Sequence, residues 1–296
     1  MCEDQETDSR RPELDTLSEY YDAWFQKVDE RFAVVGYSPS DRFNEIVKQR
    51  LVTREILELI QDPDAGTWLD YGCGRAYLFK DHDIPLHCRC IGIDVADRII
   101  QENRVAFADR ENFEFHEAAS GFLGQLDDES VDLVTMLEVI EHVYGADHVV
   151  ANLARVLKVG GKIVITTPNR ARAAAVMRKL LPLGWSRYLE DRNDALGIDE
   201  LENEDRDLAS FEVKTHFHEF TMPELKRLLR SAGFEITAAH RTAIKIMPNR
   251  SFNFLASRWP RFVERFAALD YSTRTLPIGF FKMGMLVVAR KVTTDL

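Results

Sequence analysis

The sequence predicts an α/β protein: a doubly wound, mostly parallel sheet covered by helices on both faces. Two observations carry this reading. From Thr67 onward, short apolar runs (TWLDYG, CIGIDV, FEFHEA, VDLVTML, KIVITTP) alternate with helical segments, the texture of a parallel sheet with helical crossovers. The 296 residues suffice to bury one large core, and 45% hydrophobic with 29% charged residues is the balance of a soluble globular chain.

In chain order, residues 1–13 are polar and read as disordered. Residues 14–62 read as a helical cap, because LDTLSEYYDAWFQKVDERF and DRFNEIVKQRLVTREILELIQ both repeat apolar residues at three- and four-residue spacing. The main domain is expected over 63–296. Within it, Gly160-Gly161 marks a turn placed directly before the strand KIVITTP. After Pro168 an insertion over about 169–212 interrupts the alternation. HEFTMPELKRLLRSAGF then opens with Thr221 and Glu224 in capping-box spacing and closes at Gly233, a well-punctuated helix. The strand FEITAAHRTAI follows, then a second irregular stretch over 245–282 and a final strand GMLVVARKV.

The totals also exclude functions. No apolar run approaches the roughly 20 residues of a membrane helix, and the polar start MCEDQETDSRRPELD has no signal-peptide core, so a cytoplasmic location is expected. Four cysteines, Cys2, Cys73, Cys88 and Cys90, lack the number and spacing of a disulfide frame or a zinc site and read as reduced and structural. A net charge of -11 disfavours DNA and RNA. The charge is uneven, with acids over 189–207 and an excess of bases after Arg241. These are solvated surfaces, or else an acidic loop and a basic face that meets an anionic substrate or membrane.

The chemistry concentrates in TWLDYGCGRAYL. A dinucleotide site wants G-x-G-x-x-G with free helix amides for a pyrophosphate. Here no glycine follows three after Gly74, and Asp70 two residues before Gly72 would repel phosphate. A cationic ligand reverses the argument: the sulfonium and ammonium of S-adenosylmethionine are attracted by an acid at a strand tip. Asp94 ends the next strand twenty residues after Gly74, the position from which a carboxylate accepts both ribose hydroxyls.

On these residues, from about Thr67 to Lys291, the chain resembles the class I S-adenosylmethionine-dependent methyltransferases. LDYGCGRAYL is similar to their glycine-rich motif, GIDV to the ribose acid, VDLVTMLEVIEHV and LKVGGKIVITTPN to strands four and five, and HEFTMPELKRLLRSAGF to the following helix. The resemblance implies seven strands with the last antiparallel, and a cofactor site built from Asp70, Gly72, Cys73, Gly74, Asp94, Val95, Ala118, Ala119, Leu137, Glu138 and Tyr21. Two positions depart from the family. Ala76 replaces its third glycine, which is tolerable where that residue avoids positive φ; Ala119 stands where many relatives carry an acid for the adenine amino group, leaving backbone groups of Ala118, Ala119 and Ser120 to serve.

EVIEHV places Glu138, Glu141 and His142 at i, i+3 and i+4, one face if the segment is helical. The spacing resembles that of ubiquinone-biosynthesis O-methyltransferases and small-RNA 2′-O-methyltransferases, where it implies a divalent metal (Mg, Mn or Zn); His216 matches a further histidine of the RNA group. The competing reading needs no metal, with Glu138 beside the methionine part of the cofactor and His142 lining the pocket. His218 reads as a surface neighbour of His216, and His116 as a residue near the cofactor's edge without chemistry. His142, Glu141 and His216 are the catalytic candidates, for removing a proton from an acceptor hydroxyl. Tyr20, Tyr21 and Trp24 either close over the cofactor or pack in the cap. The two insertions, with Trp185, Trp259, Phe262 and Phe266, are expected to shape the acceptor pocket, and FLASRWPRFVERFAAL reads as core or lid rather than membrane contact, with room for a lipid-like or anionic acceptor. The reading that results is O-methylation of a small-molecule metabolite; N- or C-methylation, RNA 2′-O-methylation and an inactive cofactor-binding scaffold are the alternatives.

Overall fold

The computed structural model describes residues 17–26, 46, 52–61, 66–170, 217–244, 249–259, 261–272 and 282–292. Seven strands form one sheet: β1 (Thr67–Tyr71), β2 (Arg89–Asp94), β3 (Phe113–Glu117), β4 (Val131–Leu137), β5 (Leu157–Pro168), β6 (Phe234–Ile244) and β7 (Lys282–Lys291). Their order is β3-β2-β1-β4-β5-β7-β6, and β7 runs antiparallel to both neighbours. The reversal between β1→β2→β3 on one side and β4→β5 on the other puts the topological switch point between β1 and β4, where ligands of such sheets bind.

Helices cover both faces. Those described in the cap are α1 (17–26) and α2 (52–61). In the main domain come α3 (Tyr77–Lys80), α4 (Asp97–Ala106), α5 (Phe122–Gln125), α6 (Ala146–Val156), α7 (Met222–Ser231), α8 (Asn249–Arg258) and α9 (Phe262–Ser272). Val52, Ile56 and Leu59 of α2, Phe79 of α3 and Ile100 of α4 pack with Trp68, Leu133 and Val164 on one face. Val150, Leu153 and Val156 of α6 and Met222, Leu225 and Leu229 of α7 pack with Leu69, Val134 and Ile163 on the other. Helix α7 starts as its sequence requires: the Thr221 amide donates to Glu224 Oε2 at 2.7 Å, completing the capping box.

Three boundaries differ from the sequence reading. Strand β5 begins at Leu157, ahead of Gly160-Gly161; Val131 pairs with Leu157 and Leu133 already with Lys162, so residues 158–161 bulge out of the ladder with Gly160 at φ +84°. The stretch 245–282 is not irregular throughout, since it carries α8 and α9. Glu138 to His142 is not an α-helix: Glu138 sits at φ +56° and only Ile140–His142 forms a 3₁₀ turn. Residues 1–13, most of the 169–212 insertion with Trp185, and Cys2 lie outside the described residues.

Candidate cofactor and active site

The switch point is built around a buried hydrogen-bonded chain. Asp70 on β1 lies directly opposite Thr135 on β4, and Thr135 Oγ1 donates to Asp70 Oδ1 at 2.6 Å. The direction is fixed by Trp68, two residues back on the same face, whose indole N–H donates to Thr135 Oγ1 at 2.9 Å. An indole nitrogen cannot accept, so the threonine proton is left for the carboxylate. Asp70 is 4% exposed. Burial pushes its carboxyl up to about 7, the Thr135 hydrogen bond pulls it down, and the charge of Asp94 raises it again.

Asp94 closes β2 and organises the turn. Its Oδ2 accepts the Gly74 amide at 2.8 Å and its Oδ1 the Ala96 amide at 3.0 Å. Burial raises its carboxyl, the Ala96, Gly74 and Val95 amides offset this, and Asp22 of α1 adds repulsion. Each oxygen retains a second lone pair for a ribose hydroxyl. The amides of Gly72 and Cys73 both donate to the Ile93 carbonyl, at 2.7 and 3.0 Å, and that of Ala76 to the Cys73 carbonyl at 2.9 Å. The turn's N–H groups at 72, 73, 74 and 76 are therefore used within the fold, and a phosphate would meet carboxylates instead. The Asn103 amide of α4 braces the turn from below, donating to the Gly74 carbonyl at 2.7 Å.

The glycines are sterically required. A Cβ on Gly72 would lie 2.2 Å from Val139 Cγ2, and one on Gly74 3.3 Å from Phe25 of α1, both at positive φ. Ala76 does not avoid positive φ; it sits at φ +54°, fully buried, in the left-handed region that costs an L-residue roughly 1–2 kcal/mol.

Helix α1 spans the edge of the site. Ser18 Oγ accepts the Asp97 amide at 3.2 Å and the Asp22 carboxylate the Arg98 amide at 3.1 Å. Ala96, at the α4 N-cap, offers no side-chain cap, so α1 satisfies the first donors of α4 from outside. Arg75 lies 5.6 Å from the Phe25 ring, and Tyr21 meets the His142 ring edge-on at 6.1 Å. Asp22, Asp70 and Asp94 thus give this edge a negative focus.

At the tip of β4, Leu137 pairs with Thr166 of β5, and the Glu138 amide donates to the Thr166 carbonyl and hydroxyl at 2.9 and 3.1 Å. The left-handed Glu138 is strain held in place by these contacts, a frequent property of functional positions. Glu141 lies in the 3₁₀ turn that follows. Its side chain is fully buried, Thr167 Oγ1 donates to its Oε2 at 2.9 Å, and its carbonyl accepts the amides of Phe217 and His218. Helical i, i+3, i+4 spacing does not apply to Glu138, Glu141 and His142, because the chain between them is not a continuous helix. Among the described residues no three His, Cys, Asp or Glu side chains could hold a metal ion, and His216 lies outside them.

Ala118 and Ala119 form a 3₁₀ turn after β3, Ala118 half-buried and Ala119 exposed. Glu117 beside them is engaged by Arg104 and Gln101 at 2.9 and 3.1 Å. His116 stacks on Phe122 with ring centroids 3.4 Å apart, while His218 is exposed and packs on Phe220. Cys73, Cys88 and Cys90 are buried free thiols. The sequence reading missed Trp68, Thr135, Asn103, Ser18 and Asp22. Thr135 alone carried a signal, a hydroxyl in the middle of a buried strand.

The geometry fits a cationic adenosyl ligand: two buried carboxylates at adjacent strand tips, one of them held by a hydroxyl, beside a turn whose amides at 72, 73, 74 and 76 are already used. Known proteins agree. Ubiquinone biosynthesis O-methyltransferases from Hydrogenovibrio crunogenus and Albidiferax ferrireducens are 26% and 30% identical over 141 and 130 residues, covering 47% and 40% of this chain. The matches cover 58% and 51% of those proteins, so the chain spans about half the length of the curated relatives it matches. A chain in the complex between the Haloferax volcanii Trm112 methyltransferase activator and a methyltransferase superposes with TM-score 0.51 at 17% identity, over 94% of this chain and 99% of that one. The Haemonchus contortus phosphoethanolamine N-methyltransferase 2 in complex with S-adenosyl-L-methionine gives 0.50 at 13% identity, over 89% and 60%. These two show the fold alone. The methyltransferase domain family matches residues 29–239, more than half of the sequence, and the sheet order with its antiparallel β7 is the class I order: the chain belongs to the S-adenosylmethionine-dependent methyltransferase domain family.

Proposed function

We propose that the protein is an O-methyltransferase acting on a hydroxyl of a small-molecule metabolite, one with a lipid or sugar portion. The observation that carries this is the half-buried imidazole of His142 at the β4 tip, faced by Tyr21 of α1 and set beside the acidic cofactor edge. The O-methylating activity named for the curated relatives supports the same acceptor atom.

When bound, S-adenosylmethionine supplies an electrophilic methyl group on a sulfonium. Asp70 would hold the positive end of that molecule and Asp94 its ribose, with Gly72, Cys73, Gly74, Val95, Ala118, Ala119, Leu137 and Glu138 lining the site. His142 accepts the hydroxyl proton at a ring nitrogen as the acceptor oxygen attacks. Glu141 is a positioning residue: its carboxylate ties the 3₁₀ turn to Thr167 of β5 and its carbonyl holds the chain at 217–218. Helix α1 excludes water from above. The remaining contribution is alignment of donor and acceptor. A metal-assisted step is not part of the proposal, because among the described residues no three His, Cys, Asp or Glu side chains are placed to hold a metal ion.

Incubating the protein with S-adenosylmethionine and fractionated metabolite extract, and following S-adenosylhomocysteine formation, tests this. Turnover with an O-methylated product that falls at least about a hundredfold in His142→Ala supports it. An N- or C-methylated product, or unchanged turnover in His142→Ala, overturns the base assignment; cofactor binding without turnover in any fraction favours a scaffold.

A further inference from the structure

The β6–β7 connection leaves the sheet after Ile244 and returns at Lys282, which are paired with each other, while Gly284 pairs with Pro168 at the end of β5. The connection that carries α8 and α9 therefore departs from and returns to the carboxyl edge of the parallel strands, at the end of the sheet away from β1 and β2. The two helices meet through Phe252, Phe262 and Phe266, with centroid separations of 5.1 to 5.7 Å. The outer face is different. Phe254 and Arg258 on α8, and Arg265 and Leu269 on α9 with Arg261 just ahead of it, follow four-residue spacing, so each set falls along one side of its helix. Phe254 is 69% exposed, Trp259 at the turn 56% and Leu269 52%. A groove of about 630 Å³ runs between Trp259, Arg261, Phe262, Arg265, Phe266 and Leu269.

Charge identifies the partner. In a chain of net charge -11, several arginines find carboxylates, as in Arg75–Glu102, Arg89–Glu114, Arg104–Glu117 and Arg155–Asp128; the α8–α9 face instead gathers three cations beside exposed apolar side chains. Arg258, Arg261 and Arg265 are exposed and make no ion pair with a described residue. We propose that this outer face docks the protein on an anionic phospholipid bilayer surface, with Trp259, Phe254 and Leu269 entering the headgroup boundary and the three guanidinium groups on lipid phosphates. Unpaired cations flanking exposed aromatic and aliphatic side chains on amphipathic helices are what such an interface requires, whereas a free phosphate would leave the apolar stripe without a role. The inference does not depend on which atom is methylated.

The test is co-sedimentation of the full chain with vesicles of phosphatidylcholine alone and of phosphatidylcholine mixed with phosphatidylglycerol. Binding is expected to the mixed vesicles, to fall as salt is raised, and to drop roughly thirtyfold in partition coefficient in the double variant Arg261→Gln/Arg265→Gln. Trp259→Ser is expected to weaken binding with the salt dependence retained. All variants are checked for unchanged S-adenosylhomocysteine binding, which separates failure here from failure of the cofactor site. No binding to mixed vesicles, equal binding to neutral ones, indifference to the arginine variant, or equal affinity for soluble polyglutamate overturns the proposal.

Discussion

Replacing Asp70 by Asn removes a charge and almost nothing else, because the amide oxygen can still accept the Thr135 hydroxyl that the carboxylate accepts at 2.6 Å. In the cofactor-free protein the carboxyl is raised from 3.8 to about 7, chiefly by burial. The unfolded chain therefore releases this proton near pH 4 and the folded chain keeps it until about pH 7. Stability contributed by the group is complete below the unfolded value, is lost progressively as pH rises between the two, and is flat above. At about 1.36 kcal/mol per pH unit, the loss above pH 7 is on the order of 4 kcal/mol. Asp70→Asn abolishes this term, so the variant should be more stable than the parent at pH 8, by several degrees in Tm at about 2 °C per kcal/mol, with the advantage shrinking toward pH 5. Calorimetry of the cofactor-free proteins across this range measures it directly. The same variant should bind S-adenosylmethionine at least about tenfold more weakly, for want of the counter-charge. A stability difference independent of pH, a variant less stable at pH 8, or undiminished cofactor affinity would refute the electrostatic account.

Other outcomes follow from neighbouring contacts. Thr135→Val removes the hydrogen bond that lowers the Asp70 carboxyl, so cofactor affinity, which should weaken as pH falls below about 7, should begin to weaken at higher pH than in the parent; titration calorimetry at a series of pH values reads the midpoint. Asp22→Ala deprives α4 of its external cap, at a cost of about 1 kcal/mol, and hydrogen exchange should rise at residues 17–26 and 97–99 with the sheet unaffected. Ala76→Gly relieves a left-handed alanine worth about 1–2 kcal/mol, but forfeits a buried methyl group and adds backbone freedom to the unfolded chain, together of similar size. Its unfolding free energy should lie within about 1 kcal/mol of the parent, whereas Ala76→Val, β-branched at φ +54°, should lose more than about 2 kcal/mol.

The sheet was legible because its strands are buried on both faces and write themselves as short, continuous apolar runs. Asp70 and Asp94 were legible because an acid at a strand tip beside a glycine turn has few structural excuses. What sequence spacing could not carry was anything decided by long-range contact. The direction of the Thr135 hydroxyl depends on Trp68, 67 residues away, and the capping of α4 on Ser18 and Asp22, more than 70 residues earlier. The EVIEHV misreading has a local cause: helical spacing was assigned to a segment whose first residue is pinned in a left-handed conformation by Thr166. Helices α8 and α9 were missed because Pro260 separates two short elements and exposed Phe254, Trp259 and Leu269 blur the apolar period.

The self-contained turn at Gly72–Ala76 bears on inhibitor chemistry. Its amides at 72, 73, 74 and 76 are committed to Ile93, Asp94 and Cys73 before any ligand arrives, so the loop is preassembled and these four groups are closed to a competitor's anion. Adenosine mimics should gain potency by carrying an amine or other basic tail and lose it with each phosphate or sulfonate appended, a polarity of response opposite to that of nucleotide-dependent dehydrogenases built on a similar sheet.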